Sequence, residues 1–342
     1  MSIIDLAESG RLPDVLIRIG IRRLLRKRLA DEFAGDPERA GEAYARRIEE
    51  LAASPIALAT DAANEQHYEV PAGFYQQVLG EHLKYSSCLW EPGVDSLNEA
   101  EARMLALSCE RAALADGQDI LELGCGWGSL TLWMAAHYPN SRITAVSNSA
   151  SQRAFILRRA AERGLTNLEV LTRDVNQLAL ERQFDRVVSI EMFEHVRNYR
   201  HLLARIHGWL KPGGSLFVHI FCHRTLLYPF ETEGDDNWMG RHFFTGGLMP
   251  AADTLLWFQE HLKIQQRWLV NGRHYARTAR AWLELLDARR TAARAALADS
   301  HPDPERQLQR WRMFFMACEE LFAWRGGREW MVAHYRFEKP LG

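Results

Sequence analysis

The chain has 342 residues, 47% hydrophobic and 25% charged, with a formal net charge of -2. These values describe a soluble globular protein with one large domain or two smaller ones, and no basic field that would draw nucleic acid. Five scattered cysteines, with no C-x-x-C pair, suggest neither a disulfide framework nor a zinc site and point to a reducing, cytoplasmic setting. The first ten residues lack a signal-peptide pattern, and no apolar run approaches the ~18 residues that span a bilayer. Any lipid substrate would be met at a surface.

Residues 1–60 read as helices. Val15, Leu16, Ile19, Leu24 and Leu25 alternate with Arg18, Arg22, Arg23, Arg26, Lys27 and Arg28. A basic amphipathic helix of this kind could make peripheral contact with an anionic membrane. An ordinary packing helix with a solvated cationic face is the preferred reading, because Gly20 weakens the helix. Residues 64–92 mix aromatics with small hydroxyl and thiol groups, and Tyr68, Tyr85, Ser86 and Cys88 could cover a ligand. A helix over 99–115 leads into D-I-L-E-L-G-C-G-W-G at 119–128, an apolar strand ending in Gly124, Gly126 and Gly128. Glycines there let the backbone turn tightly and approach a ligand, and the following helix points its N-terminus at the same place.

The spacing is G-x-G-x-G, whereas dinucleotide-binding loops read G-x-G-x-x-G. Glu122, two residues before the first glycine, puts a carboxylate where a cation fits better than a pyrophosphate. A cationic nucleoside without phosphates, S-adenosylmethionine, satisfies both facts. Helix 129–138, strand 142–147, helix 151–163, strands 168–172 and 184–190, helix 198–210 and strand 214–220 then alternate, which predicts a parallel sheet with helices on both faces. Ligands on such sheets sit at the carboxyl ends of the strands. The second strand ends at Ser147 and Asn148 rather than at the acid a NAD ribose would need, so Ser147, Asn148 or Gln152 would hold a ribose. Asp174, after the third strand, is either an adenine-recognition edge or a local N-cap. The fourth strand gives E-M-F-E-H, placing Glu191, Glu194 and His195 at the expected crevice. Residues 221–262, aromatic and acidic, read as a substrate-covering lid. A sixth strand at 264–270, helices at about 277–298 and 303–323, a linker-like stretch at 300–305 and a last alternating strand complete the chain.

These residues resemble the cyclopropane-fatty-acid synthase superfamily of S-adenosylmethionine-dependent methyltransferases, and within it the coclaurine N-methyltransferase branch. The motifs that carry the resemblance are N-E-Q-H-Y-E-V-P, K-Y-S-S-C, L-G-C-G-W-G-S-L, S-I-E-M-F-E-H, F-V-H-I-F-C-H, F-F-T-G-G-L-M-P, W-L-V-N-G-R-H-Y-A-R-T and G-R-E-W-M-V-A-H. The resemblance implies an α/β class I methyltransferase fold: a Rossmann-like seven-stranded sheet with its last strand antiparallel. It further implies a helical N-terminal region at 1–62, a methyltransferase domain at 63–342, the lid after strand five and a helical insertion at about 277–323. It places Tyr85, Ser86, Gly124, Gly126 and Gln152 on the methyl donor, with Ser147 and Asn148 close by. In the synthase branch bicarbonate is the base, at positions matching Cys88, Glu194, His219 and Tyr275. In the N-methyltransferase branch the pair matching Glu194 and His195, with Glu191 nearby, handles the substrate amine. Both sets are present and do not decide between the branches; F-F-T-G-G-L-M-P, W-L-V-N-G-R-H-Y and the match in the lid make a hydrophobic amine the expected acceptor, with an unsaturated acyl lipid as the alternative. Oligomeric state stays open between monomer and dimer, and no metal is expected.

Overall fold

The computed structural model describes residues 2–58 and 70–341. Three helices open it: α1 (Ile3–Glu8), α2 (Asp14–Asp31) and α3 (Pro37–Ala53), followed by the short α4 (Ala72–Val78) and by α5 (Leu97–Arg111). α5 starts two residues before the position expected. The Ser96 hydroxyl accepts from the Glu99 N–H at 3.3 Å and the Glu99 carboxylate from the Ser96 N–H at 3.2 Å, a reciprocal cap that fixes the first turn. The helix stops at Arg111, just before Ala113 turns to φ +53°.

The sheet begins with β1 (Asp119–Leu123), then α6 (Ser129–His137), β2 (Arg142–Ser147), α7 (Ala150–Glu162), β3 (Leu168–Thr172), β4 (Phe184–Ile190), α8 (Tyr199–Trp209) and β5 (Leu210–His223). A small ladder of β6 (Tyr228–Pro229) and β7 (Leu248–Met249) flanks the short α9 (Trp238–His242). Then come β8 (Lys263–Val270), α10 (Gly272–Ala288), α11 (Arg290–Ala298), α12 (Pro304–Ala323) and β9 (Trp330–Glu338). Seven strands form one sheet in the order β3-β2-β1-β4-β5-β9-β8, with β9 antiparallel to both of its neighbours. The strand order reverses between β1 and β4, so the carboxyl ends there open a crevice.

β5 is twice as long as the sequence suggests. Phe221, Cys222 and His223, expected to open the lid, pair with Val332, Met331 and Trp330 of β9. Their partners lie more than a hundred residues away, which local pattern cannot reveal. The remaining segment carries the β6–β7 ladder and α9 rather than a featureless loop.

The two faces of the sheet are buried differently. Leu105 and Cys109 of α5 and Leu130 and Met134 of α6 pack on Ile120, Ile143, Val188 and Phe217. Leu51 of α3 and Tyr199, Leu202 and Ile206 of α8 pack on Leu121, Val187 and Val218. A third cluster joins α2, α4 and α10–α12 to Trp127 and Phe221 at the strand ends. Helices therefore roof the crevice as well as covering the sheet.

α2 packs by its cations. Arg18 donates to Glu319 at 2.7 Å and Glu320 at 2.9 Å, and Arg22 donates to Glu320 at 2.7 Å. Arg28 donates to Glu32 and Asn237, and Arg26 lies over the Trp324 ring. Ile17, Leu25 and Leu29 are buried, while Val15, Leu16 and Ile19 are exposed. The helix packs, but these cations bind the protein's own acids and rings and do not form the solvated face that the packing reading expects.

Candidate active site

The glycine loop is drawn toward β2, since the Gly124 and Cys125 N–H groups both donate to the Val146 carbonyl at 3.0 Å. Gly124 sits at φ +78°, and a Cβ there would lie 2.6 Å from Met192 Cγ. Gly126, at φ +51°, has open space on its Cβ side. Two adjoining cavities meet over this loop and share Gly124, Gly126, Gln152, Met192 and His195. The larger, about 970 Å³ counting its open mouth, is walled by Lys84, Tyr85, Ser86, Glu122, Glu191 and Tyr275, with Phe221, Phe244 and Phe314 on one side. The second runs past Ser147 and Asn148 to Arg173, Val175 and Leu178.

Glu122 is buried and accepts from the Thr131 hydroxyl at 2.5 Å. Burial pushes its carboxyl up to about 8, against that single hydrogen bond. The Ser147 hydroxyl donates to Gln152 Oε1 at 2.7 Å, which holds these two polar groups together at the junction of the cavities. Asp174 lines neither cavity. Its carboxylate accepts from the Asn176 N–H at 2.6 Å, the local-turn alternative, and Arg173 takes the cavity edge instead. Tyr68 lies outside the described residues.

The acids of E-M-F-E-H separate. Glu191 holds φ +45°, a left-handed conformation unusual for a side chain with a Cβ. Its carboxylate accepts from the Ser87 N–H at 3.0 Å, the Tyr275 hydroxyl at 2.6 Å and His219 Nε2 at 3.1 Å. Burial raises its carboxyl above the usual range, opposed by Lys84, Tyr275 and Ser87. Glu194 is fully buried and lines neither cavity. One of its oxygens accepts from the Phe221 N–H at 2.8 Å, and the other has no hydrogen-bond partner among the described residues. Burial, reinforced by the charge of Glu191, raises its carboxyl well above the usual range. His195 lines both cavities, with its ring stacked on Phe244 at 6.0 Å between centroids. Cys88 is buried away from the cavities, its thiol directed at the Ser86 carbonyl at 3.6 Å.

Two groups that the sequence reading did not single out shape this wall. The buried Glu101 accepts from the backbone N–H groups of Gly80, His82 and Lys84 at 3.0, 2.9 and 3.2 Å. Lys84, also buried, donates to the Ser86 hydroxyl at 2.5 Å and to the Ser87 carbonyl at 2.7 Å. Together they set the segment that carries Tyr85, Ser86 and Ser87. A carboxylate inside the Leu/Ala pattern of α5, and a lysine beside Y-S-S-C, were the available signals.

The trough suits a phosphate-free cationic nucleoside: Glu122 offers an acid to a cation, Gly126 leaves room for close approach, and Ser147, Asn148 and Gln152 offer polar groups along the second arm. The fit to bicarbonate is different. Cys88, Glu194, His219 and Tyr275 do not converge on a common cavity, and the carboxylate of Glu191 already takes the Tyr275 hydroxyl and His219. The residues present do not fit that ion, and no step below runs through it.

A sheet of this topology, with the glycine loop and its trough at the reversal point, defines a class I S-adenosylmethionine-dependent methyltransferase. The chain belongs to the family described as mycolic acid cyclopropane synthetase, which matches residues 58–328. It is 36% identical to the (S)-coclaurine N-methyltransferase of Thalictrum flavum subsp. glaucum over 97% of this chain and 94% of that one. It is 30% identical to the cyclopropane-fatty-acyl-phospholipid synthase of Escherichia coli (strain K12), over 80% of this chain and 67% of that one. The solved structure of coclaurine N-methyltransferase bound to N-methylheliamine and SAH superposes with a TM-score of 0.94 at 34% identity, covering 98% of this chain and 99% of that one.

Proposed function

We propose that this methyltransferase transfers the methyl group to the nitrogen of a hydrophobic, aromatic amine. One observation carries the reading: a cavity that continues the donor trough and joins an acid, Glu191, and a titratable imidazole, His195, to the rings of Phe221, Phe244, Phe314 and Tyr275. Two relatives named for coclaurine N-methylation, one of them bound to an N-methylated amine, support the same choice. When bound, S-adenosylmethionine supplies the electrophilic methyl, and the transfer is an in-line displacement governed by positioning.

An aliphatic amine enters largely protonated. The Glu191 carboxylate and the aromatic faces attract the cation, and the nitrogen gains its lone pair only after giving up a proton. His195, on the cavity wall, accepts it. Glu194, neutral and behind the wall, supports the Phe221 backbone and so the position of the Phe221 ring. Tyr85, Ser86, Glu122, Gly124, Gly126, Ser147, Asn148 and Gln152 hold the donor. Five free cysteines, all buried, support a reducing, cytoplasmic setting.

The test supplies isotope-labelled donor with a panel of hydrophobic amines and, separately, with unsaturated phospholipid vesicles, and reads the label's destination by NMR. N-methyl product is expected, with a loss of about 10²–10⁴-fold in turnover for His195→Asn, the range of general-base catalysis. Label appearing only as cyclopropane or branched methyl would overturn the amine reading, and unchanged turnover in His195→Asn would overturn the base.

A further inference from the structure

Glu191 is the last member of a row of side chains that crosses the sheet. Ile190 of β4 pairs with His219 of β5, His219 with His334 of β9, and His334 with Trp268 of β8. Along this row His219 Nε2 meets Glu191 Oε1 at 3.1 Å, His219 Nδ1 meets His334 Nε2 at 2.9 Å, and His334 Nδ1 meets the Arg111 guanidinium at 2.8 Å. Arg111, in the last turn of α5 and partly buried, lies over the Trp268 ring at 5.0 Å. Three inter-strand spacings of ~4.8 Å put it on the order of 14 Å from the strand that ends in Glu191.

Both histidines are completely buried, and burial holds each neutral, with its ordinary titration well lowered. A neutral imidazole carries one proton, so each ring has one donor and one acceptor. A guanidinium can only donate. His334 Nδ1 must therefore accept, which leaves its proton on Nε2. That proton points to His219 Nδ1, which must accept in turn and carry its own proton on Nε2, facing Glu191. The row has one polarity, and it ends in a third donor to a carboxylate that already receives Ser87 and Tyr275. Because Arg111 cannot accept, the row is not an exit for protons. It is a lock on tautomers.

We propose that Arg111 is a positioning residue: acting through His334 and His219, it fixes both tautomers and favours Glu191 as the ionised, acceptor-only group of the cavity. The groups facing Glu191 are Lys84, Cys88, Glu194, His219, Tyr275 and Cys318. Those facing the histidines are Lys84 and Arg111, with Glu110 beside the latter. Lys84 also favours the ionised carboxylate, so removing Arg111 weakens the preference without abolishing it. The consequence for catalysis rests on the amine-methylation reading, whereas the tautomers do not.

The test therefore has two readouts. Long-range ¹H–¹⁵N NMR of the imidazoles reports which nitrogen is protonated. In the wild type and in Glu191→Gln, both histidines are expected as Nε2–H, because Arg111 holds the row from its far end. In Glu191→Gln combined with Arg111→Met, both ends are released and the two tautomers are expected to mix. In kinetics, freeing the tautomers lets His219 accept from a protonated Glu191, which raises the pH at which Glu191 ionises. The acid limb of kcat/KM is thus expected to move up by about one pH unit in Arg111→Met, tenfold in rate on that limb, and to stay in place in Arg111→Lys, which still only donates. Arg111→Gln, able to donate or accept, replaces the methionine variant should that one not fold. Histidines still wholly Nε2–H in the double variant would overturn the lock, whatever the substrate. A stationary acid limb beside mixed tautomers would overturn its role at Glu191.

Discussion

Among the described residues, Glu122 has one hydrogen bond and no cationic side chain against it, and burial raises its carboxyl to about 8. At pH 7 it is mostly protonated before the donor binds, and a bound cation favours its ionised form. Affinity for the donor should therefore rise with pH and level off above about 8, a gain of about tenfold between pH 6 and 8. Isothermal titration calorimetry across that range should also detect proton release on binding, and Glu122→Gln should flatten both. A flat profile in the wild-type protein would remove Glu122 from the donor site. At this scale the sequence was a partial guide. The short spacing of E-M-F-E-H marked the crevice, yet adjacency does not say which side of a turn faces it. The 3-10 turn Phe193–His195 leaves His195 on the cavity wall and sends Glu194 into the core. His334 stands in G-R-E-W-M-V-A-H, yet nothing local marks its place. β9, which reads as an alternating strand, lies between two strands and is buried along nearly all its length, so its alternation does not mark an inward face.

The helices dock by charge as well as by apolar surface, and α2 on α12 is the clearest case. Glu319 and Glu320 are nearly buried, and Arg18 bonds both. Among the described residues, Arg18→Met leaves these carboxylates with the cations Arg22 and Arg280. The expected cost is about 2 kcal/mol, below that of an isolated buried pair because two partners remain. Calorimetry should show Tm falling by ~2–5 °C, with donor affinity unchanged. An unaltered Tm would mean that the Arg18 bonds do not help to hold α2 on α12. Most strands and helices were legible because their periodicity is local: β1 to β4 and α6 to α8 fall within a residue or two of the pattern. The exceptions share a cause. The end of β5 depends on β9, and the break between α10 and α11 at Arg289 sits in a continuous run of helix-forming residues. Neither is written in neighbouring residues.

Across the whole molecule, buried titratable groups set how stability depends on pH. Burial raises the carboxyl of Glu101 to about 7 and that of Glu122 to about 8, and raises that of Glu194 well above the usual range. Unfolded, such groups ionise near ~4.3. Above that pH the folded state holds protons that the unfolded chain has lost, so stability falls with rising pH until these carboxyls ionise. His219, His223, His242 and His334 act the other way. Burial holds them neutral, His223 and His242 down to about 4, while the unfolded chain protonates them below ~6.5. Their contribution to stability grows as pH rises to ~6.5 and then stops. Ligand-free protein should therefore have its highest Tm near pH ~6 and lose about 5 °C by pH ~8.5. A Tm that is flat or rising over that interval in scanning calorimetry would contradict the balance.

β9 occupies residues 330–338, yet it lies inside the sheet and brings His334 against His219. During synthesis β1 to β5 emerge first, with the edge of β5 unpaired and Glu191 lacking its full set of donors. The growing polypeptide can assemble its parallel strands but cannot complete the wall around Glu191 until residues 330–338 have left the ribosome. Until then β5 is an open strand edge of the kind that chaperones shield.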